Sequence, residues 1–441
     1  MSGALADRAR EIVGPDHLVT DPAALAPYAV DGVRPAAAAR PGTPEETGAM
    51  LAAAGERGAG VLPRGGGAHQ HLGGVPTRAD LIIDTTRLAG VTDYVPADYV
   101  VTVRAGTRLR DLQAELDAHA QWLPLDPPGE RTATVGGLIA ANRNGPRRLL
   151  YGSIRDMLIG IRVALPTGEV IKAGGKVVKN VAGYDLVKLF IGSFGAAGVI
   201  TEATFKISPH PRDGQTVFVI VPGLRAASDL TTAVMRSYLL PSALEAVSPA
   251  ALRRLAPAAG LAAPPDGAWG VLLLAEGMAE SRARHVNEMR TLVGAESHLE
   301  VVDGTAHDAL WGAVAEFPSP DVHPGGVVVR VGGPIARWAE VAAALEGIPA
   351  AGPVEVLAHA GVGLLYAACA AQDGPALVES LGAVSGTIGG YAVVEAAPVA
   401  LKPRLPLWGP PPGGIELMRK LRGQYDPRGI MIPGRLGWGL S

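Results

Sequence analysis

Two patterns of apolar and polar positions divide the chain. In the first half, short apolar runs are broken by glycine-rich loops. Residues 4–12 form a brief amphipathic run that predicts a helix. Residues 40–84 then read as β-α-β. TPEE at 43–46 is a capping-box-like start with acidic residues in the first turn, the helix continues over 49–57, and Gly58 and Gly60 end it. GVLP, a glycine-rich loop and the strand LIID at 81–84 follow, then the strand YVVTVRAG at 99–106 and a helix over 109–119. Between 126 and 209, the runs IGIRVALP, GEVIKAG and GVITEATFKISP alternate with glycine-rich turns and one helix, 184–191.

After Pro211 the texture changes. TVFVIVP, GVLLLAE, LEVVD, GVVVRV, VEVLAHA, GLLYAA and YAVVEA read as strands, and 227–239, 281–293, 306–315, 336–345 and 376–384 as helices. The order predicts a second α+β domain, mainly an antiparallel sheet with helices on one face. Residues 398–414 are proline-rich, and an amphipathic helix over 415–425 precedes DPRGIMIPGRL. The expected division is 1–35 (N-terminal helix and connector), 36–211, 212–400, and 401–441 (linker, helix and tail). The length of 441 residues suits two or three domains.

Composition narrows the function classes. Hydrophobic residues make up 48% and aromatics only 5%, so the cores are aliphatic. The net charge is −3 with no basic stripe, which argues against a nucleic-acid partner. A single cysteine, Cys369, excludes an internal disulfide, a structural zinc site or an Fe–S cluster bound by this chain alone, and its apolar surroundings read as a buried, inert thiol. The N-terminus lacks an apolar h-region, and the longest apolar stretch, 356–371, carries His359 and several glycines and falls short of a bilayer span. A cytoplasmic protein is expected, reaching a membrane only through partners.

The candidate chemistry lies in the glycine loops. PRGGGAHQHLGG (63–74) follows a strand, and its consecutive glycines permit positive φ and let backbone N–H groups converge on phosphate oxygens. A Rossmann site competes, because Asp84 lies about twenty residues on, where a ribose-binding acid belongs. However, AHQHLGGVPTRAD, with Gly73, Gly74 and Pro76, cannot form the long helix that such a site requires. In DPPGERTATVGGLIAANRNGPRR (126–148), Thr132 and Thr134 supply hydroxyls, Gly136 and Gly137 allow close backbone approach, and Ala140 and Ala141 leave room for a flat ligand. YGSIRDM (151–157) and KNVAGYDLVKLFIGSFGAAGVITEATFKISP (179–209) complete the series.

With these loops in this order, the sequence resembles the FAD-binding domain of the vanillyl-alcohol-oxidase, or PCMH-type, flavoproteins, and within them the FAD-binding E subunit of glycolate oxidase and its D-subunit paralogue. GGKVVKNVAGYDLVKLFIGS is the most specific piece. The likeness covers 20–209 and returns at 425–436 (YDPRGIMIPGRL). It implies a two-subdomain FAD-binding domain with a ferredoxin-like α+β cap, and FAD as cofactor. It places Arg64, Gly65, Gly66, Gly67, Ala68 and His69 around the pyrophosphate, and Thr132, Thr134, Gly136, Gly137 and Ala141 along the flavin and ribityl chain. Gly145, Gly152, Gly198, Val199 and Ile200 line the rest.

Some positions depart from the family pattern. Ala68 follows the glycines where covalent relatives carry histidine, and His69 comes one step later, so non-covalent FAD is expected. Phe194 replaces an acid in GSFGAAG, and Ile432 replaces the asparagine of an NPG turn. In HAGVG (359–363), Val362 stands where the family has an acid, which leaves His359 without a partner nearby in sequence. No residue is therefore assigned a catalytic role. The HxH pair of His69 and His71 sits in the phosphate loop and is not read as a metal site.

Three readings stay open. The chain is the flavin-carrying subunit of a 2-hydroxy-acid oxidising complex, with a D-type flavoprotein and an Fe–S subunit as partners. Alternatively it is a self-sufficient FAD-dependent oxidoreductase for a small 2-hydroxy acid or alcohol, or a scaffold with weak flavin affinity.

Overall fold

The computed structural model describes residues 3–176, 185–211, 213–262, 264–293, 298–348 and 351–440. Residues 177–184, which include part of the GGKVVKNVAGYD motif and the expected start of a helix at 184, lie outside the described residues.

The first layer comprises α1 (Gly3–Val13), β1 (Leu18–Val19), β2 (Ala38–Ala39), α2 (Pro44–Glu56), β3 (Val61–Arg64) and β4 (Leu81–Asp84). The strands order as β1-β2-β4-β3, with β3 and β4 parallel. Thr43 caps α2 by accepting from Glu46 N at 3.0 Å, while the Glu46 carboxylate reaches back to Gly42 N at 2.7 Å, one residue beyond the standard capping box.

The second layer is antiparallel: β5 (Val91–Val95), β6 (Val100–Arg104), α3 (Leu109–Asp117), β7 (Gln121–Trp122), α4 (Val135–Ala141), α5 (Arg148–Tyr151), α6 (Ile154–Met157), β8 (Leu158–Ala164), β9 (Val170–Gly174), α7 (Val187–Phe190), β10 (Val199–Lys206) and β11 (Ser208–Pro209). Its main sheet runs β5-β6-β10-β8-β9. Each layer has its own aliphatic core, one around Leu51, Ile82 and Met431, the other around Leu112, Ile139 and Phe205.

The remaining strands form one eight-stranded sheet: β12 (Gly214–Val221), α8 (Leu224–Arg236), β13 (Ala243–Val247), α9 (Pro249–Leu255), β14 (Trp269–Glu276), α10 (Ala279–Val293) and β15 (His298–Val302), then α11 (Gly304–Glu316), β16 (Val327–Gly332), α12 (Trp338–Ala343), β17 (Glu355–His359), β18 (Leu364–Cys369), α13 (Gly374–Thr387) and β19 (Tyr391–Ala396). The order β15-β12-β14-β13-β17-β18-β16-β19 is two βαββαβ units, each with strand order 4-1-3-2, joined back to back through their second strands, β13 and β17. The ferredoxin-like cap is thus a duplicated one.

Two features differ from the sequence reading. β13 and α9 are additional elements, since ALEAV is poor in β-branched residues and PAALRRL is short. Helices also lie on both faces. Val217, Val271 and Val329 pack under α8, α10, α12 and α13, whereas the alternating Phe218, Leu272 and Leu274 pack under α9 and α11. Beyond the sheet the chain returns through α14 (Ile415–Tyr425) to the first layer, where Val61 N donates to Ile430 O and Ile432 N to Val61 O, both at 2.8 Å.

Candidate functional site

A cleft of about 910 Å³, counted out to its open mouth, lies between the two N-terminal layers. That is within the size range of cofactor sites. It is lined by the loop after β3, by the start and inner face of α4, by 194–200 at the entry to β10, and by Trp408, Ile432, Arg435 and Leu436. Arg64, Gly65, Gly66, Gly67, Ala68, His69, Thr134, Gly136, Gly137, Ala141, Gly198, Val199 and Ile200 all line it. Thr132, Gly145 and Gly152 do not. Gly145 is required by packing instead, because a Cβ there would lie 1.8 Å from Asp126 O, and Gly152 serves a turn at φ +82° beside Asp156.

The glycine loop after β3 is held differently from the sequence expectation. Of its three glycines only Gly67 is left-handed, at φ 84°. Gly65 and Gly66 are needed for close approach: a Cβ on Gly65 would meet Thr134 Oγ1 at 2.0 Å, and one on Gly66 would meet Thr132 O at 1.6 Å. Two backbone loops therefore close on each other along the cleft wall. Thr134 Oγ1 is buried beside them without a hydrogen-bond partner, as is Ser193 Oγ. Buried hydroxyls of this kind ordinarily have partners, and Thr134, which lines the cleft, is placed to meet a polar ligand.

The sequence reading missed the clamp behind this loop. Arg435 donates to Gln70 O at 2.5 Å, Gly74 O at 2.9 Å and Asp31 Oδ2 at 3.1 Å, and also to Leu72 O. Lys402 adds Asp31 at 2.7 Å and His71 O at 2.6 Å. Trp408 lies edge-on to Phe194 at 5.0 Å. Phe194 and Ile432, the two departures from the family pattern, both take left-handed backbone, at φ 53° and 44°. An asparagine tolerates that region, but a β-branched residue resists it. Asp84 is occupied structurally, accepting from Tyr28 Oη at 2.8 Å and Thr86 N at 2.9 Å, as the rejection of a Rossmann site requires.

Burial, with Arg143 nearby, holds His69 well below the usual histidine range, and burial with the same arginine lowers His71 to about 4. Among the described residues no group of three or more His, Cys, Asp or Glu side chains could hold a metal ion. Cys369 is buried, and burial pushes its thiol up to about 12.

The cap presents a polar row to this half of the molecule. Residues alternating with the α8/α10 core face the other way, and among them are Glu276 on β14, Glu245 on β13, His359 on β17, Tyr366 on β18, Arg330 on β16 and Glu395 on β19. Glu245 and His359 are register partners, and His359 Nδ1 lies 2.5 Å from Glu245 Oε2, both side chains almost fully buried. The sequence expectation that His359 lacks an acid is corrected here: the carboxylate comes from a strand 114 residues earlier. Nε2 has no hydrogen-bond partner among the described residues. Burial raises Glu245, with His359 opposing.

Facing the row is the segment after α3 that goes on to line the cleft. Arg147 Nε donates to Glu276 at 2.9 Å and its Nη1 to Asp126 at 3.3 Å, while Tyr151 Oη donates to Glu276 at 3.2 Å. Burial raises Asp126 to about 6 against the pull of Arg147. Arg143, at the end of α4, donates through Nη1 to Glu395 Oε2, and Arg330 Nε donates to Glu395 Oε1 at 2.5 Å.

Comparison with known proteins agrees with this geometry. A family model described as an FAD binding domain matches residues 35–174. An uncharacterised FAD-linked oxidoreductase of Mycobacterium tuberculosis is 30% identical over 451 aligned positions, covering 97% of both chains. The chain belongs to the PCMH-type FAD-linked oxidoreductases. Its cofactor is FAD, and it is an enzyme of the class acting on CH–OH groups. Glycolate oxidase subunit GlcD of Bacillus subtilis is 26% identical, covering 97% of this chain and 95% of its own. Glycolate oxidase subunit GlcE of Escherichia coli is 46% identical, but over 125 residues, 28% of this chain and 35% of its own. The likeness to the E subunit is therefore partial, and the glycolate oxidase subunit matched along nearly its whole length is of the D type, the paralogue that the sequence reading also named. p-Cresol methylhydroxylase shares the fold, with a TM-score of 0.75 at 16% identity over 99% of this chain and 97% of that one. No helix among the described residues is long and apolar enough to cross a membrane.

Proposed function

We propose that this FAD-linked oxidoreductase oxidises a small 2-hydroxy acid in a site of its own, between the flavin end of the cleft and the polar row of the cap. The observation that carries this reading is the Glu245–His359 pair. FAD, when bound, would supply the acceptor for the hydride that leaves the substrate carbon. The remaining task is removal of the hydroxyl proton, and His359 Nε2 is free to take it while Glu245 holds Nδ1–H and the ring orientation. The buried carboxylate then stabilises the imidazolium, and the substrate leaves as a 2-oxo acid. Thr134 and the backbone of Gly65, Gly66, Gly136 and Gly137 would hold the cofactor's phosphates and ribityl chain.

A second reading is favoured by the matches to two glycolate oxidase subunits: the chain works within a complex, handing electrons to an Fe–S partner beside a second flavoprotein. Anaerobic mixing with a panel of 2-hydroxy acids, followed at the oxidised-flavin absorbance band, tests the primary reading. Rapid bleaching by the isolated chain is expected, slowed roughly 10²–10⁴-fold in His359→Ala. Flavin that stays oxidised until partner subunits are added would overturn it in favour of the complex.

A further inference from the structure

Glu395 sits where the β16–β19 register slips. Val329 pairs with Val394 and Val328 with Ala396, so Glu395 is the extra residue of a β-bulge. Alternation with Ala392 and Val394 puts its carboxylate on the face of Arg330, and the bulge brings Ala396 onto that same face beside Val328. Each Glu395 oxygen takes one guanidinium. Glu395 is 1% exposed, Arg143 5%. The cluster holds two fixed positive charges and one negative, a net +1, with Glu395 and Arg143 buried and the Arg330 side chain 24% exposed.

Its donors are not used up. Arg330 spends Nη1 on Tyr391 Oη at 3.0 Å, but Arg143 Nε is buried with no hydrogen-bond partner among the described residues. A buried, charged N–H without an acceptor is costly, and a buried charge is ordinarily balanced. The cluster lies between the cleft and the cap: Arg143 comes two residues after cleft-lining Ala141, and its charge acts on the loop histidines His69 and His71. Tyr366 pairs with Arg330 across the strands and stacks edge-on to His359 at 5.5 Å, which ties the cluster to the proposed base.

We propose that Arg143 and Arg330 form a subsite for a monoanionic carboxylate, which completes the charge balance of the triad and anchors the acid group of the substrate. The inference rests on the reading above for the substrate's place, and goes beyond it in fixing which end of the molecule is recognised and by which residues. Glu395 is a positioning residue: it holds the two guanidinium planes apart and keeps the net charge at one, which suits a carboxylate better than a dianion.

The test uses the FAD-loaded protein and two probes of the same size that carry no oxidisable hydroxyl, isobutyrate and its neutral amide isobutyramide. Binding is read from calorimetry and from the perturbation of the flavin spectrum. Isobutyrate should bind at least tenfold more tightly than the amide. Arg330→Gln and Arg143→Gln should each cost roughly 10–100-fold in isobutyrate affinity, since hydrogen bonds to charged groups are worth about 1.5–3 kcal/mol, with partial recovery in Arg330→Lys. Glu395→Gln should tighten isobutyrate binding and be thermally stabilised by it, a gain that a purely structural triad would not give, and one that stays readable if an arginine variant fails to fold. Equal binding of acid and amide, or weaker isobutyrate binding in Glu395→Gln, overturns the proposal. If hydroxy acids reduce the flavin while isobutyrate ignores both arginines, the subsite is wrong and the enzyme reading stands. If isobutyrate binds at the arginines and no hydroxy acid reduces the flavin, the subsite stands and the enzyme reading falls.

Discussion

Replacing Arg435 with methionine removes the clamp from the glycine loop after β3 while keeping most of the side-chain volume. Arg435 is 7% exposed and holds the carbonyls of Gln70, Leu72 and Gly74 together with Asp31. Asp31 keeps Lys402, so it is not left uncompensated, but three carbonyls lose their donor. Leaving a buried acceptor without its donor costs about 1–3 kcal/mol, and the three carbonyls together, once water reaches some of them, cost roughly 3–5 kcal/mol. For a cooperative unit of about 200 residues, where 1 kcal/mol moves Tm by roughly 2–4 °C, a drop of about 6–20 °C follows. Because Gly65–Gly67 lie directly before the clamped carbonyls, FAD affinity should fall too, by about tenfold or more. Fluorescence titration of the apoprotein with FAD and thermal melts with and without it measure both effects. Arg435→Lys should be intermediate, since one ammonium cannot reach four acceptors at once. Arg435→Met with unchanged FAD affinity and a Tm within 2 °C or so of the parent would refute the clamp.

Gly66→Val should give an essentially flavin-free protein, because its Cβ would stand 1.6 Å from Thr132 O; a normal ratio of flavin to protein absorbance would contradict this. Acid precipitation should release all the flavin into the supernatant, since Ala68 occupies the position of covalent attachment and His69 Nε2 is engaged with Pro128 O at 3.1 Å; yellow pellets would count against it. His71 is held neutral down to about 4 in the fold, against about 6.5 when unfolded. Its contribution is therefore complete above about 6.5 and is lost as pH falls towards 4. Urea midpoints should decline across that window, and less steeply in His71→Gln; parallel profiles would exclude the histidine.

Much of the cofactor cleft could be read from the chain because its determinants are local. A glycine beside a strand, as at 65–67 or 136–137, announces a backbone that must be approached closely, and that need is written at the residue itself. The same local logic identified seven of the eight cap strands and dismissed Asp84 as a ribose ligand. It also drew in Gly145 and Gly152, which do not line the cleft, since a glycine required by a carbonyl or a turn looks the same in sequence as one required by a ligand.

What the tertiary structure alone decided is which distant side chains meet. Glu245 lies in ALEAV, a run without strand character of its own, and becomes the partner of His359 because two ferredoxin-like units join through β13 and β17. Arg143, Arg330 and Glu395 come together from the turn after α4, from β16 and from a bulge in β19, and Arg435 reaches back some 365 residues to the glycine loop after β3. A backbone requirement is satisfied within a few residues and leaves its mark there. A buried charge needs a partner, but the partner can come from any strand, so its identity becomes visible only once the sheet has set the register.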